Sequence, residues 1–413
     1  MLENFENHLQ KYAELAVKIW VNLQPTQRLL IRAPIEAAPL VEKVTASAYQ
    51  AGARLVTVIW SHDPLELARF KYAPRNSFEE YPTWLSDGIY QHLKDGNALL
   101  SIYAEDPDLL KEQDQSLIGV AIKVRARHQA GVSNLISSNA INWNIISYPI
   151  PSWARKIFPG LSDDQAVEKL WQTIFQICRI DTPDPIAAWQ DHVQQLVARA
   201  DYMNKKQYAS LRYTGPGTNL TVGLPQHHVW LSAGFASQNG IPFIANVPTE
   251  EIFTLPHRAY AEGTVRASMP LNFGGMLIED FSLTLAGGKV VKYAARQGEE
   301  LLRNIFETDE GSAHFGEVAL VPHSSPISQS KLLFYNTLFD ENAASHIALG
   351  RAYRFSLDGG VEMTEEQFHA AGGNYSLNHV DFMIGNGEMD LDGITASGSK
   401  EPVMRNGEWA FVV

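Results

Sequence analysis

Apolar positions at Phe5, Leu9, Tyr12, Ala16, Ile19 and Leu23 recur with a helical period, and Pro25 closes that segment. The run RLLIRAP that follows reads as a buried strand. Residues 36–51 regain a helical pattern that stops at Gly52, and ARLVTVIW (53–60) is the next strand. NALLSIYAE (97–105), a helix through QSLIGVAIKVRARHQA, and NWNIISYPIP (142–151) continue the alternation. Short strand–helix units of this kind imply a mostly parallel sheet wrapped by helices. Residues 1–185 therefore read as one α/β domain.

The segment RIDTPDPIAAW (179–189) carries two prolines and no periodicity, which marks it as a linker. Beyond it, a helix over AWQDHVQQLVARADYMN leads into a different pattern. LRYTGPGTNLTVGL, GTVRASMPLNFGGMLIEDFSLTLAGGKVVKYAA and HFGEVALVP are alternating strands separated by glycine-containing turns. Residues 186–413 read as an α+β domain with an antiparallel sheet. TGPGTNL (214–220) lacks the Lys-Ser/Thr ending of a phosphate loop, so a hairpin turn is expected there, and NFGG (272–275) is likewise expected to be a turn.

Composition narrows the function classes. With 413 residues, two domains are the natural division, and 45% hydrophobic with 19% charged residues is the profile of a folded globular chain. A net charge of −13 argues against a nucleic-acid partner, which requires clustered Lys and Arg. The chain has no run of eighteen apolar residues, and its opening stretch is amphipathic without the basic start of a secretory signal. Neither a membrane partner nor export is expected. Cys178 is the one cysteine, so thiolate metal clusters and intrachain disulfides are excluded and the cytoplasm is the expected address.

The chemistry concentrates in the second domain, where nine of the thirteen histidines lie after residue 186. Carboxylates in apolar surroundings are costly unless paired or bound to a cation. HVDFMIG (379–385) puts His379 and Asp381 two residues apart on a strand, hence on one face. A structural hydrogen-bonded pair and a metal-ligand pair both fit that spacing. DENAASHIALGRAY (340–353) reads as a helix capped by Asp340 or Asn342, with His346 and Tyr353 two turns apart on one face and Glu341 at its start. HFGEVALVP (314–322) carries Glu317 at the head of an apolar strand, and NVPTEEIFTLPHR (246–258) places Glu250 and Glu251 between two prolines. Together these give two histidines, several carboxylates and no thiolate. That inventory suits a two-metal hydrolase site better than a structural zinc site.

In this order and spacing, NVPTEEIFTLP, GEVALVP, DENAASHIALGRAY and HVDFMIG closely resemble the thermophilic-metalloprotease family of aminopeptidases, the aminopeptidase T, PepS and AmpS group. The resemblance extends over nearly the whole chain. It implies a broad-specificity aminopeptidase with two divalent ions, zinc, cobalt, manganese or magnesium. It implies ligands at Glu251, Glu317, His346, His379 and Asp381, with Glu341 close to the metals, as ligand or as base, and Tyr353 nearby. It also implies a homodimer whose first domains help enclose the active-site cavity.

On this reading, Glu341 or Glu250 takes a proton from the attacking water, and Tyr353 donates to the tetrahedral oxyanion. Neighbouring side chains diverge, so Glu250 and Glu251 are not expected to hold the same ion; the family pattern favours Glu251 as the ligand and leaves Glu250 in support. Peptides with a free N-terminus are the expected substrates. A metal-dependent hydrolase of another small amide, and a non-catalytic peptide-binding dimer, are the competing readings.

Overall fold

The structure, a computed structural model, describes residues 4–273 and 276–413. The chain divides into two units: residues up to Gln190 together with Gly234–Pro248, and Asp191–Ala233 together with Thr249–Val413. The boundary expected at residue 185 lies instead within the helix Pro185–Lys206. The prolines of RIDTPDPIAAW punctuate the chain as expected, but Pro185 opens that helix, where its fixed φ and missing N–H cost nothing. Trp189 is fully buried, and its indole N–H donates to the Cys178 carbonyl at 2.8 Å, which ties the expected linker into the first unit. Cys178 itself is a buried free thiol. The return of residues 234–248 to the first unit was not legible in the sequence.

Among the described residues, the first unit contains a four-stranded parallel sheet in the order Leu55–Ser61, Arg28–Pro34, Ala98–Tyr103 and Trp143–Ser147. Strands with both faces buried read as continuous apolar runs, as RLLIRAP and ALLSIY do. Leu30 and Leu99 pack with Ile89, Leu93 and Val132, which come from helices Thr83–Lys94 and Gln115–Ser137. Leu29, Ile31 and Leu100 are also buried. Helix Ala38–Gln50 makes the crossover from the Arg28–Pro34 strand to Leu55–Ser61. The returning segment bonds to the last strand, where the Asn144 amide donates to the Ile244 carbonyl at 2.7 Å. Among the described residues no helix is long and apolar enough to cross a membrane.

The second unit contains a nine-stranded sheet and a five-stranded sheet, antiparallel wherever strands pair. TGPGTNL is the tip of a hairpin between Ser210–Gly215 and Thr218–Gly223, with Gly217 at a φ of +73° that favours glycine. The turn expected at NFGG falls partly on residues outside the described ones. The five-stranded sheet runs in the order His379–Met383, His346–Gly350, Phe315–Leu320, Ile252–Thr254 and Leu231–Ser232.

One expected element is overturned. DENAASHIALGRAY is not a helix: a turn at Glu341–Ala343 leads into an extended Ala344 (φ −158°) and the strand His346–Gly350. Its alanines and leucine favour a helix, yet that strand is hydrogen-bonded on both edges and buried at all five positions. Sheet pairing and burial outweigh a local preference worth only tenths of a kcal/mol per residue, roughly. Asp340 is not a helix cap; its carboxylate accepts the N–H groups of Phe334 at 2.7 Å and Asn336 at 3.0 Å.

Candidate metal centre

The five-stranded sheet has one apolar face and one chemical face. Val318, Ile347, Leu349 and Phe382 are completely buried on the apolar side. On the other face, the register aligns Glu317, Ala348 and Asp381 across three strands, with Ala319, His346 and Met383 in the next row. Gly350 stands opposite His379. Period two places His379 with Asp381 and His346 with Ala348, so all of these share one side. Ala348 and Gly350 carry almost no side chain, leaving space between the functional groups.

A bulge sets Glu317 on this face. Phe315 pairs with Leu349 and Glu317 with Ala348, so Gly316 is the extra residue. A Cβ on Gly316 would lie 2.2 Å from the Arg351 carbonyl oxygen, so only glycine fits. The bulge lets Phe315 face the core, with its ring 6.3 Å from that of Phe382, while Glu317 faces the opposite way. Glu251 arrives by the same logic from the fourth strand. Phe253 pairs with Ala319, and Glu251 lies two residues earlier on the same side.

The imidazoles are oriented from behind. His346 Nδ1 lies 3.1 Å from the Ala344 carbonyl, and His379 Nδ1 lies 2.8 Å from the Arg351 carbonyl. A carbonyl only accepts, so each Nδ1 carries a proton and each Nε2 is aimed at the acids, protonated in the metal-free protein and free to ligate once a cation takes the place of that proton. His346 Nε2 is 3.1 Å from Glu251 and 3.6 Å from Glu317. His379 Nε2 is 3.4 Å from Asp381 and 3.9 Å from Glu317. Glu251 Oε2 and Asp381 Oδ1 are buried with no partner other than these Nε2 atoms, so the whole set of donors converges on space that only protons or a cation can fill. A cation satisfies such an arrangement. The donor atoms of Glu251, Glu317 and His346 lie within 4.8 Å of one another, as do those of Glu317, His379 and Asp381. Oxygen and imidazole donors without sulfur suit zinc, cobalt, manganese or magnesium.

The electrostatics agree. Burial first, then the neighbouring acids Asp381 and Glu251, push the Glu317 and Glu341 carboxyls up, with His346 opposing. Burial pulls His379 down, but Asp381 and Glu317 outweigh it and lift it to about 10 in the metal-free protein. His346 is raised in the same way by Glu251 and Glu317, also against burial.

The remaining expected residues divide. Tyr353 does not share a helix face with His346; it follows the strand that ends at Gly350 and reaches the centre through His379, their rings 4.8 Å apart. Its hydroxyl is held protonated by burial and by the surrounding acids, Glu317 and Asp381 foremost. Glu341 comes from the turn just before the His346 strand, 3.4 Å from the Asn342 amide. Glu250 points elsewhere, with its carboxylate 3.7 Å from His192 Nε2. Two supporting residues are not among those expected at the site, Asn342 being expected only as a helix cap. Asn342 accepts the Glu250 N–H at 2.7 Å, linking the two acidic segments, and His192 bonds the Thr249 carbonyl at 2.8 Å. Only the clustering of Asn342 beside Glu341 hinted at either.

Residues 5–409 match the family described as thermophilic metalloprotease, M29. The chain belongs to the M29 family. It is 47% identical to aminopeptidase 2 of Geobacillus stearothermophilus, over 99% of each chain. It is 43% identical to aminopeptidase AmpS of Bacillus subtilis (strain 168), over 99% of this chain and all of that one. The fold superimposes on wild-type AmpT from Thermus thermophilus with a TM-score of 0.94 at 42% identity, covering 98% of this chain and 100% of that one. M29 membership makes this chain a peptide-bond hydrolase and implies a divalent-metal cofactor, for which the converging donors above are a fit.

Proposed function

We propose that this M29 chain is an aminopeptidase that uses two divalent ions, one held by Glu251, Glu317 and His346, the other by Glu317, His379 and Asp381. The observation that carries the reading is Glu317, whose two oxygens face different histidines at 3.6 and 3.9 Å. A carboxylate with each oxygen in a different donor set suits a bridging ligand. Divalent ions in such a centre lower the pKa of water and polarise the scissile carbonyl.

The chain's own groups supply the rest. Glu341, in the turn just before the His346 strand, is the carboxylate suited to accept a proton from water and return it to the leaving amine. It is preferred to Glu250 because Glu250 turns toward His192. Tyr353 stays protonated and donates to the developing oxyanion. The substrate's free α-amine would bind a divalent ion or a carboxylate of this centre, which restricts cleavage to the N-terminal residue. The proposal includes a cytoplasmic homodimer, in keeping with the single cysteine and the family resemblance.

Peptides with free and N-acetylated termini test it. Free peptides should lose residues stepwise while acetylated ones remain intact; equal cleavage of both would indicate an endopeptidase or amidase instead.

A further inference from the structure

The parallel sheet of the first unit has a topological switch point. From Arg28–Pro34 the chain moves to one neighbour, Leu55–Ser61, and then returns to the other, Ala98–Tyr103. In open α/β sheets the carboxyl ends of the strands at such a point form a crevice that binds ligands. A cavity of about 510 Å³ lies here, lined by Arg32 to Pro34 of one strand, by Ser101 to Tyr103 of the other, and by Ala104 and Glu105 just beyond it.

One sheet face explains how the cavity arises. Arg32, Ile59, Ser101 and Ile145 form a row across the four strands. Two residues earlier, Leu30, Leu99 and their helical neighbours fill the same face with a hydrophobic cluster. The Gln115–Ser137 helix supplies Val132 to that cluster and Ala121, Val124 and Arg125 to the cavity wall. The apolar filling thus stops where a guanidinium begins. An arginine directly after the buried Leu29-Leu30-Ile31 run of that strand is a costly choice for stability alone.

The charges in the cavity are unevenly satisfied. Arg125 pairs with Glu66 at 3.1 Å, and Arg69 donates to the Ser77 carbonyl at 3.0 Å and lies over the Phe78 ring. Arg32 makes no hydrogen bond or ion pair among the described residues, and Asp63 and Glu105 have no ion-pair partner among them. Burial, and then the Arg125 charge, work against the Arg32 cation, with the tyrosines Tyr81 and Tyr103 opposing. Tyr81 accepts a hydrogen bond from Gln129 at 2.7 Å, which leaves its own hydroxyl proton available. Asp63 accepts the Asp106 N–H at 3.0 Å and Glu105 is hydrogen-bonded to Tyr103, so the lining holds a guanidinium and two carboxylates without ion pairs, beside an apolar wall of Ile59, Leu85, Ile89 and Val124.

We infer that this crevice of the first unit is a second binding site, built from residues other than the metal donors, for a small zwitterion with an apolar side chain: a free amino acid or short peptide. Its carboxylate is taken by Arg32 with the Tyr81 hydroxyl, and its ammonium by Asp63 or Glu105. A guanidinium binds carboxylate and phosphate alike. The acids in the lining disfavour a phosphate dianion and favour a ligand carrying its own positive charge. If the reading of the metal centre holds, the enzyme's own products are such molecules.

Calorimetric titration of the holoenzyme with L-leucine tests the assignment. A site should appear that Asp381→Ala leaves in place and Arg32→Met weakens at least tenfold, with Arg32→Met keeping wild-type anilide turnover. Ser101→Leu, which narrows the same cavity beside Arg32, should weaken it as well and guards against misfolding of the first variant. Leucinamide and N-acetyl-leucine, each lacking one charge, should bind at least tenfold more weakly. The inference is overturned if neither cavity variant alters the isotherm, if the only leucine site vanishes with Asp381→Ala, if leucinamide binds as well as leucine, or if inorganic phosphate binds more tightly. Loss of anilide turnover in folded Arg32→Met would overturn the assignment of a second site.

Discussion

Replacing Glu317 by Gln keeps the shape of the side chain and removes one negative charge from the middle of the donor set. Its oxygens lie 3.6 Å from His346 Nε2 and 3.9 Å from His379 Nε2, so the lost charge is felt by both triads. At roughly 4 Å and an effective dielectric constant of about 20, one unit of charge is worth about 4 kcal/mol against another, a lower bound for a divalent ion. Since 1.36 kcal/mol is tenfold, each triad should lose at least roughly a thousandfold in affinity. Glu251→Gln should weaken one triad by a similar factor and leave the Glu317–His379–Asp381 group intact. Elemental analysis after equal dialysis should therefore find about two ions per chain in wild type, about one in Glu251→Gln, and nearly none in Glu317→Gln. Anilide turnover should follow the same order. Circular dichroism should show both variants folded, because the apolar face of the sheet is untouched. Equal metal content in the two variants would refute a shared Glu317.

Three further outcomes follow. Glu250→Gln should cost no more than the roughly 10–100-fold typical of groups behind the ligands, with metal content kept, because Glu250 faces His192 and not the donor set. Tyr353→Phe should lower kcat by about 100-fold or more at unchanged KM and metal content, as when a single oxyanion donor is lost; a raised KM with normal kcat would make it a substrate-binding residue. In chelator, His379 is pulled down by burial but raised overall to about 10 by Asp381 and Glu317. A raised imidazole contributes stability that is complete below its unfolded pKa near 6.5 and is lost as pH rises through about 10. The Tm of metal-free wild type should therefore fall between pH 7 and 10 more steeply than that of Asp381→Asn, and parallel slopes would remove the pair from the account.

The site was partly legible because some of its signals are local. His379 and Asp381 are two residues apart in a strand-like run, and period two alone puts them on one face. The divergence of Glu250 and Glu251 also follows from adjacency, and the structure sends one to His192 and the other to His346. The HIALG strand was not legible: its alanines and leucine favour a helix, and the flanking strands lie about 30 residues away on either side. The Gly316 bulge that turns Glu317 to the working face is equally non-local, since it exists only against the His346 strand. Glu317 was recognisable as a charge in an apolar strand, but its sharing between two histidines required the register. In the first unit the strand–helix alternation gave the parallel sheet, whereas the return of residues 234–248 depends on side chains such as Asn144 that carry no outward sign of their partners.

The most direct measurement is turnover of an amino-acid anilide by one enzyme preparation whose metal content is followed by elemental analysis through chelation and reconstitution. Activity should disappear as the metal leaves and return when zinc, cobalt, manganese or magnesium is restored, with full activity requiring about two ions per chain. Undiminished hydrolysis by demonstrably metal-free protein would contradict the account.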